Sequence, residues 1–294
     1  MAVRRVIESA TQLADLSVRD ASPVTRSAWR WQSLYAGLAI LALAFAVRVY
    51  GLTAAAVWGD EGSSLLMSQY SLSGIWFHAA HDVHPPLYFM LLHGWIELFG
   101  DSLLSIRSLS ALPGILCVLL GAWLMRVIAT PRAALLAGLL LALLPTAVRY
   151  SQEVRMYALL GALLLAASLA LVYWIRRPQR RDYLVVYVVL MSAAFYTHYF
   201  AVLAALCHWL YLLAIRVQRG YRFRHIQRWS WWLANLAIVV LYLPWLPNLL
   251  DLMQHIEQLR VGGDVGWEPA VTLSSLPSMI WSFSTRPTQK PARS

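Results

Sequence analysis

Four short stretches of this chain carry residues that can do chemistry. Trp58-Gly59-Asp60-Glu61-Gly62 sets two carboxylates side by side. A carboxylate placed on a hydroxyl can act as a general base, worth about 10² to 10⁴ in rate, and a pair can hold a metal. The plainer alternative is that Asp60 caps a helix starting near Gly62, with Glu61 favoured by the helix dipole. His78, His81, Asp82 and His84, followed by Pro85-Pro86, have spacings that could ligate a metal or could simply form a polar helix end. Arg149 to Tyr157 (RYSQEVRMY) combines two arginines, whose forks match phosphate oxygens bidentately, with Glu153 and Tyr157 four residues apart, a spacing that shares one helix face. Its plainer alternative is a local pair between Glu153 and Arg149 or Arg155. Arg107 could join the same anion site, and Tyr196-Thr197-His198-Tyr199 puts an imidazole among aromatic rings of the kind found at membrane surfaces. The sequence has no phosphate-binding glycine loop, nucleophile elbow or zinc signature.

The elements that must position these groups are apolar. Of 294 residues 60% are hydrophobic and 13% charged, about half the charge that a water-facing domain of ordinary composition carries. Lipid as solvent explains the shortfall, and the 14 Trp and 14 Tyr suit headgroup belts. Charge-free windows at 31–47, 108–125, 133–148, 156–175, 183–197, 199–215 and 229–250 predict an all-α transmembrane bundle of about seven spans. The fifth and sixth windows, separated by His198, predict either a tight hairpin or one overlong helix, and the basic tracts on both sides favour the hairpin.

The net charge of +10 comes from arginine tracts between the windows, which argues for loops held on the cytoplasmic face and against nucleic acid as a partner. Arg126 with Arg132, Arg176 to Arg181, and Arg216 to Arg228 go inside together with a basic tail at 1–30. The loops at 51–105, 149–155 and 198, and the chain from 251 onward, then go outside. Pro85 to Phe99 is short and carries His93 and Glu97, so parity predicts that it does not cross. The long first loop is expected to hold two interfacial helices. Cys117 and Cys207 read as small apolar core residues.

Outer carboxylates, outer arginines and an apolar body together suit transfer of a sugar from a polyprenyl phosphate, with the arginines stabilising the departing phosphate and a carboxylate deprotonating the acceptor. A lipid or solute transporter, or an inactive membrane scaffold, are the alternatives from other classes.

At the motifs GDE (Asp60-Glu61), DVHPPLYF (Asp82 to Phe89), LFGDS…RSLSALPG (Leu98 to Gly114), SQEVRMYALL (Ser151 to Leu160), HYFA (His198 to Ala201) and LPWLP (Leu243 to Pro247), the chain resembles GT-C superfamily membrane glycosyltransferases. The group most similar is family 39, which is protein O-mannosyltransferase-like and includes bacterial lipopolysaccharide and cell-surface glycan transferases. The resemblance covers about residues 33–250. It implies a polyprenyl-monophosphate donor, catalysis on the periplasmic or extracellular face of the inner membrane, inversion by single displacement, and no metal or other cofactor. The acceptor would be a glycan, lipid or protein. Asp60 matches the family's first-loop base, with Glu61 in support. Arg107, Arg149 and Arg155 are expected on the donor phosphate, and His84, Glu153, Tyr157, His198 and Tyr199 in the substrate pocket. The expected organisation is a cytoplasmic tail at 1–30, a catalytic module at 31–250 and an outer tail at 251–294, shortened relative to the family.

Overall fold

A computed structural model of the chain describes residues 23–219 and 225–261, with side chains described over 34–217 and 225–254. Among the described residues every regular element is helical: α1 (Pro23–Val49), α2 (Gly59–Ser68), α3 (Leu72–Ala79), α4 (Leu87–Phe99), α5 (Leu103–Ile128), α6 (Pro131–Leu143), α7 (Pro145–Ser151), α8 (Tyr157–Arg176), α9 (Asp182–Thr197), α10 (Ala201–Arg219), α11 (Trp229–Tyr242) and α12 (Leu246–Val261). Short 3₁₀ turns at His225–Gln227 and Leu243–Trp245 precede α11 and α12. Much of the basic tail at 1–30 and of the tail at 251–294 lies outside the described residues. The part of the latter that is described continues α12 to Val261.

Each of the seven apolar windows falls on helix. Three helical stretches, Leu103–Ile128, Tyr157–Arg176 and Trp229–Gln254, are long and apolar enough to cross a membrane by themselves. The pair α6 and α7, bent by 59°, is long and apolar enough only when taken together, as a broken span or a re-entrant loop. The apolar part of α1 (Leu34–Val49), α9 and Ala201–Val217 of α10 are shorter. The 16 residues of α9 rise about 24 Å, less than a hydrocarbon core of about 30 Å. Short helices meet that thickness with their flanking residues or by local thinning. The outward faces are apolar: Leu136, Leu140, Val185, Val189, Leu206, Leu210, Leu236 and Val240 are all exposed. In water this surface would be unstable, whereas in lipid it is solvated.

Contacts sort the helix ends into two layers. At one end, Trp174 stacks on Trp231 with centroids 5.7 Å apart, Trp123 Nε1 donates to the Tyr173 hydroxyl at 2.9 Å, and Arg176 donates to the Val127 carbonyl. The arginine tracts around residues 126–132 and 176–181 cluster here. At the other end lie the first loop, the start of α5, the approach to α8, the α9–α10 turn and Trp245. The first loop holds three helices rather than two, α2, α3 and α4. The third, α4, is pinned against α2 and the start of α5: His93 Nδ1 hydrogen-bonds the Ser68 carbonyl at 2.9 Å and Trp95 Nε1 the Ser105 carbonyl at 3.0 Å.

The break between α6 and α7 has a specific cause. Pro145 has no N–H, so the Leu141 carbonyl lacks its helical donor. Arg48, near the end of α1 and 1% exposed, supplies the replacement. Its Nη2 donates to Leu141 O at 3.0 Å, its Nη1 to Ala142 O at 3.2 Å and Ala44 O at 3.3 Å, and its Nε to Ser151 Oγ at 3.3 Å. Gln152 Nε2 then ties the far side of α7 to the carbonyls of Val47, Arg48 and Tyr50. The bend thus fixes where the Arg149–Arg155 stretch emerges. The cysteines differ from the expectation in one respect: Cys117 is half-buried, but Cys207 is exposed on α10 rather than part of a core.

Close approach of α5 to α7 requires Gly114, where an added Cβ would stand 2.1 Å from Ser151 Oγ and 3.2 Å from Arg48 Nε. Gly114→Ala is therefore expected to cost about 1–3 kcal/mol of stability, read as a lower melting temperature in detergent. Gly37→Ala, inside α1 with nothing within 4 Å of the new methyl, is expected to leave the melting temperature unchanged or raise it slightly, as alanine favours helix by up to about 1 kcal/mol over glycine.

Candidate active site

Glu61 sits in the first turn of α2, where the dipole favours a carboxylate and where its Oε2 accepts the Trp58 N–H at 3.4 Å. It is fully buried, and Arg107, on the second turn of α5, is 2% exposed. Arg107 Nε donates to Glu61 Oε1 at 2.9 Å and Nη2 to Oε2 at 2.7 Å, a bidentate fork. The remaining guanidinium hydrogens go to the carbonyls of Leu52 (2.8 Å), Ala55 (2.9 Å) and Ala56 (3.3 Å). A guanidinium has five N–H donors, and in this arrangement all are engaged, with none free for a phosphate. Glu61 Oε1 also accepts the Val154 N–H at 2.9 Å. One buried ion pair thereby joins the first loop, α5 and the approach to α8.

Asp60, one residue earlier on α2, turns the other way: its side chain is 51% exposed and Oδ2 lies 3.7 Å from Arg155 Nη2. Arg155 is buried. Its Nη1 donates to the Asp60 carbonyl at 3.3 Å and to Ser64 Oγ at 3.5 Å, and its Nη2 donates to His84 Nε2 at 3.3 Å. The Nε hydrogen has no acceptor among the described residues although the atom is buried. Tyr88, through Ser110, fixes the Arg155 backbone, since the Ser110 hydroxyl donates to Arg155 O at 3.0 Å and lies 2.8 Å from the Tyr88 hydroxyl.

His84 accepts from Arg155 on Nε2, so its Nδ1 hydrogen faces Asp82, 3.8 Å away. Burial would raise the Asp82 carboxyl, but His84, the Val83 N–H at 2.6 Å and Arg155 outweigh it and hold the group below its ordinary value. His198 completes the ring of side chains, with its centroid 5.6 Å from both His84 and Tyr157. Its Nδ1 accepts the Phe200 N–H at 3.1 Å, leaving the proton on Nε2. Burial, then the neighbouring His84 and Arg155, push its pKa down to about 4. Tyr199 accepts from Trp245 Nε1 at 3.3 Å, bringing the 3₁₀ turn between α11 and α12 to the site.

Asp60, His84, Arg155, Tyr157, His198 and Tyr199 are therefore brought together as the sequence suggests. Arg149 is not among them. It is half-exposed on α7 and paired with Glu153 at 2.8 Å, the local pairing that was the plainer alternative. Glu153 lies before α8 begins, so it does not share a helix face with Tyr157, although one of its oxygens, Oε2, is buried without a hydrogen-bond partner. The upstream histidines turn elsewhere: His78 stacks on Tyr70 at 3.9 Å, and His81 Nδ1 bonds the Phe77 carbonyl at 2.9 Å. Among the described residues no three His, Cys, Asp or Glu stand where they could share a metal ion. Two participants escaped the sequence reading. The spacing marks Asp82 only as a possible metal ligand or part of a polar helix end, not as a partner of His84. Arg48 follows the first apolar window directly, and a lone cation at membrane depth is the signal that could have found it.

The family model described as dolichyl-phosphate-mannose-protein mannosyltransferase matches residues 83–247. It takes in His84, Arg107, Arg149, Arg155 and His198, while Asp60 and Glu61 precede it. No curated protein and no solved structure matches the chain.

Two outcomes follow from this geometry. Removing one partner of a buried ion pair costs about 3–5 kcal/mol, so Glu61→Ala and Arg107→Ala are each expected to unfold the first loop, read as faster proteolysis between residues 50 and 85. The double variant Glu61→Gln, Arg107→Met is expected to recover part of the loss. For His198, an unfolded value of 6.5 and a folded value of about 4 mean that the unfolded chain binds more protons between them. Its contribution is fully present above about 6.5 and is lost as the pH falls toward 4. His198→Gln is expected to flatten the decline in melting temperature over that interval.

Proposed function

The chain belongs to the dolichyl-phosphate-mannose-protein mannosyltransferase family and is a mannosyltransferase-like membrane glycosyltransferase, and from that premise we propose that it transfers a sugar from a polyprenyl-phosphate carrier to an acceptor hydroxyl at the extracytoplasmic membrane surface. The observation that carries this reading is Arg155: a buried guanidinium with an unclaimed Nε hydrogen, set between an exposed carboxylate and the His84 imidazole. A phosphate diester satisfies that donor, and the carboxylate beside it is open to an acceptor.

In this reading the acceptor hydroxyl gives its proton to Asp60 as its oxygen bonds to the anomeric carbon. The bond from that carbon to the phosphate oxygen breaks with its electron pair going to the phosphate, and the sugar carbon inverts. The carrier gains one negative charge while Asp60 loses one. Arg155 is thereby released from its carboxylate partner as the phosphate next to it becomes more anionic, so its stabilisation is greater in the transition state than before it. His84 keeps Arg155 in place, with Asp82 holding the ring. Glu61 and Arg107 are positioning residues, and Arg149 with Glu153 forms the rim. The arginine tracts at the opposite end favour placing that end in the cytoplasm and the site outside.

Purified protein incubated with a panel of polyprenyl-phosphate sugars and candidate acceptors, followed by mass analysis, tests the reading. Asp60→Asn is expected to slow transfer about 10²- to 10⁴-fold with no change in melting temperature, because the side chain is half-exposed. Undiminished transfer by that variant would remove Asp60 from its role. Arg155→Gln is expected to lower kcat as well as donor affinity.

A further inference from the structure

At the end of the bundle opposite the candidate site, two turns carry a dense positive charge. The α5–α6 turn holds Arg126 and Arg132, and the α8–α9 turn holds Arg176, Arg177, Arg180 and Arg181, all of them exposed. Asp182 is the single acidic residue in the stretches 125–134 and 174–184. Arg180 occupies both of its oxygens, at 3.0 and 2.9 Å. Among the described residues no other carboxylate pairs with Arg126, Arg176, Arg177 or Arg181. The positive-inside bias accounts for the number of arginines but not for where they are held.

Their placement is specific. Arg176 Nη2 donates to the Val127 carbonyl, which draws the end of α8 against the residue that follows Arg126. One turn before Arg126, Trp123 Nε1 donates to the Tyr173 hydroxyl. Tyr173 in turn stacks on Tyr183 of α9 with centroids 5.5 Å apart. The arginines therefore stand over a shelf of amphipathic rings, the kind of side chain that settles at the headgroup level. The shelf continues into an apolar stripe. Leu112, Leu116, Leu119 and Trp123 recur on α5 at intervals of four, three and four residues, one helix face, and all are exposed. Arg126 follows three residues later on the same face. From Leu112 to Trp123 the helix rises about 17 Å, close to half of a hydrocarbon core of about 30 Å. The stripe is one leaflet deep.

We propose that this face of α5, with the end of α8, is a binding site for one anionic diacyl phospholipid. Its headgroup phosphate sits on Arg126 and Arg176, whose guanidinium forks match phosphate oxygens. Its glycerol region lies on the Trp123–Tyr173 shelf, and one acyl chain runs along Leu119, Leu116 and Leu112. A zwitterionic lipid brings its own cation to the arginines and is attracted less. The site lies at the opposite end of the bundle from Asp60 and Arg155, and its occupancy does not depend on the transfer reaction.

The test is native mass spectrometry of the full-length protein in detergent, titrated in parallel with dioleoyl phosphatidylglycerol and dioleoyl phosphatidylcholine. For the wild type, the first phosphatidylglycerol is expected to bind about tenfold or more tightly than the first phosphatidylcholine. The double variant Arg126→Gln, Arg176→Gln is expected to bring the two lipids within about threefold of each other. The double variant Arg216→Gln, Arg228→Gln removes the same charge elsewhere and is expected to keep the wild-type preference. An equal loss in both double variants overturns the proposal, because a diffuse positive field would then suffice. So does a wild type without the preference, or a preference undiminished in Arg126→Gln, Arg176→Gln. Should that variant not fold, for want of the Arg176 bond to Val127, the exposed Arg126→Gln alone decides, and an unchanged preference refutes the site. Glycerophosphoglycerol, the headgroup without its chains, is expected not to compete at equal concentration. Competition by it would leave the apolar stripe no part and would also overturn the proposal.

Discussion

A single buried ion pair organises the reactive end of this protein. Glu61 and Arg107 are 46 residues apart in sequence and almost wholly removed from solvent. Each would be prohibitively costly alone. Together they satisfy one another and use every remaining guanidinium hydrogen to hold the backbone of Leu52, Ala55 and Ala56. The carboxylate adds the Val154 amide, two residues from the start of the approach to α8 at Gln152. Because α2 is helical and Glu61 is fixed inward, Asp60 is fixed outward, and Arg155 follows Val154 by one residue. The spacing of the proposed base and anion site is thus set by a contact that takes part in neither proposed role.

A second constraint works from below. Pro145 breaks the helix between α6 and α7, and Arg48 satisfies the carbonyls the break exposes. The bend turns α7 so that Gln152 reaches the end of α1 and the Arg149–Arg155 stretch emerges beside the first loop. The two constraints share a logic suited to lipid, where no water is at hand to satisfy an orphaned backbone group: buried arginines do the work of missing amide donors. They differ in charge. One arginine brings its own counter-ion and the other binds only neutral oxygens.

Much of the architecture was legible in the sequence because lipid imposes coarse rules. Charge-free windows mark helices, and the arginine tracts at 126–132 and 176–181 do gather at one end, opposite the carboxylates. Parity of the arginine tracts bears on whether Leu87–Phe99 crosses, whereas its contacts through His93 and Trp95 follow from the fold alone. The site was legible as a set of residues but not as a set of partners. Arg107 and Arg155 look alike in sequence, and only the fold reveals that one is saturated by Glu61 and three carbonyls while the other keeps a free hydrogen. Four-residue spacing put Glu153 and Tyr157 on one helix face, but the helix starts at Tyr157 and Glu153 turns back to Arg149. The short α3 went unseen because eight residues, Leu72–Ala79, give too little periodicity to separate it from its neighbours.

The most direct measurement is a structure of the membrane-embedded protein with a polyprenyl monophosphate bound. The expected density has the phosphate against Arg155 and the Glu61–Arg107 fork unbroken. A phosphate seated on Arg107, with Glu61 displaced from it, would contradict the division between the pair that builds the site and the groups that use it.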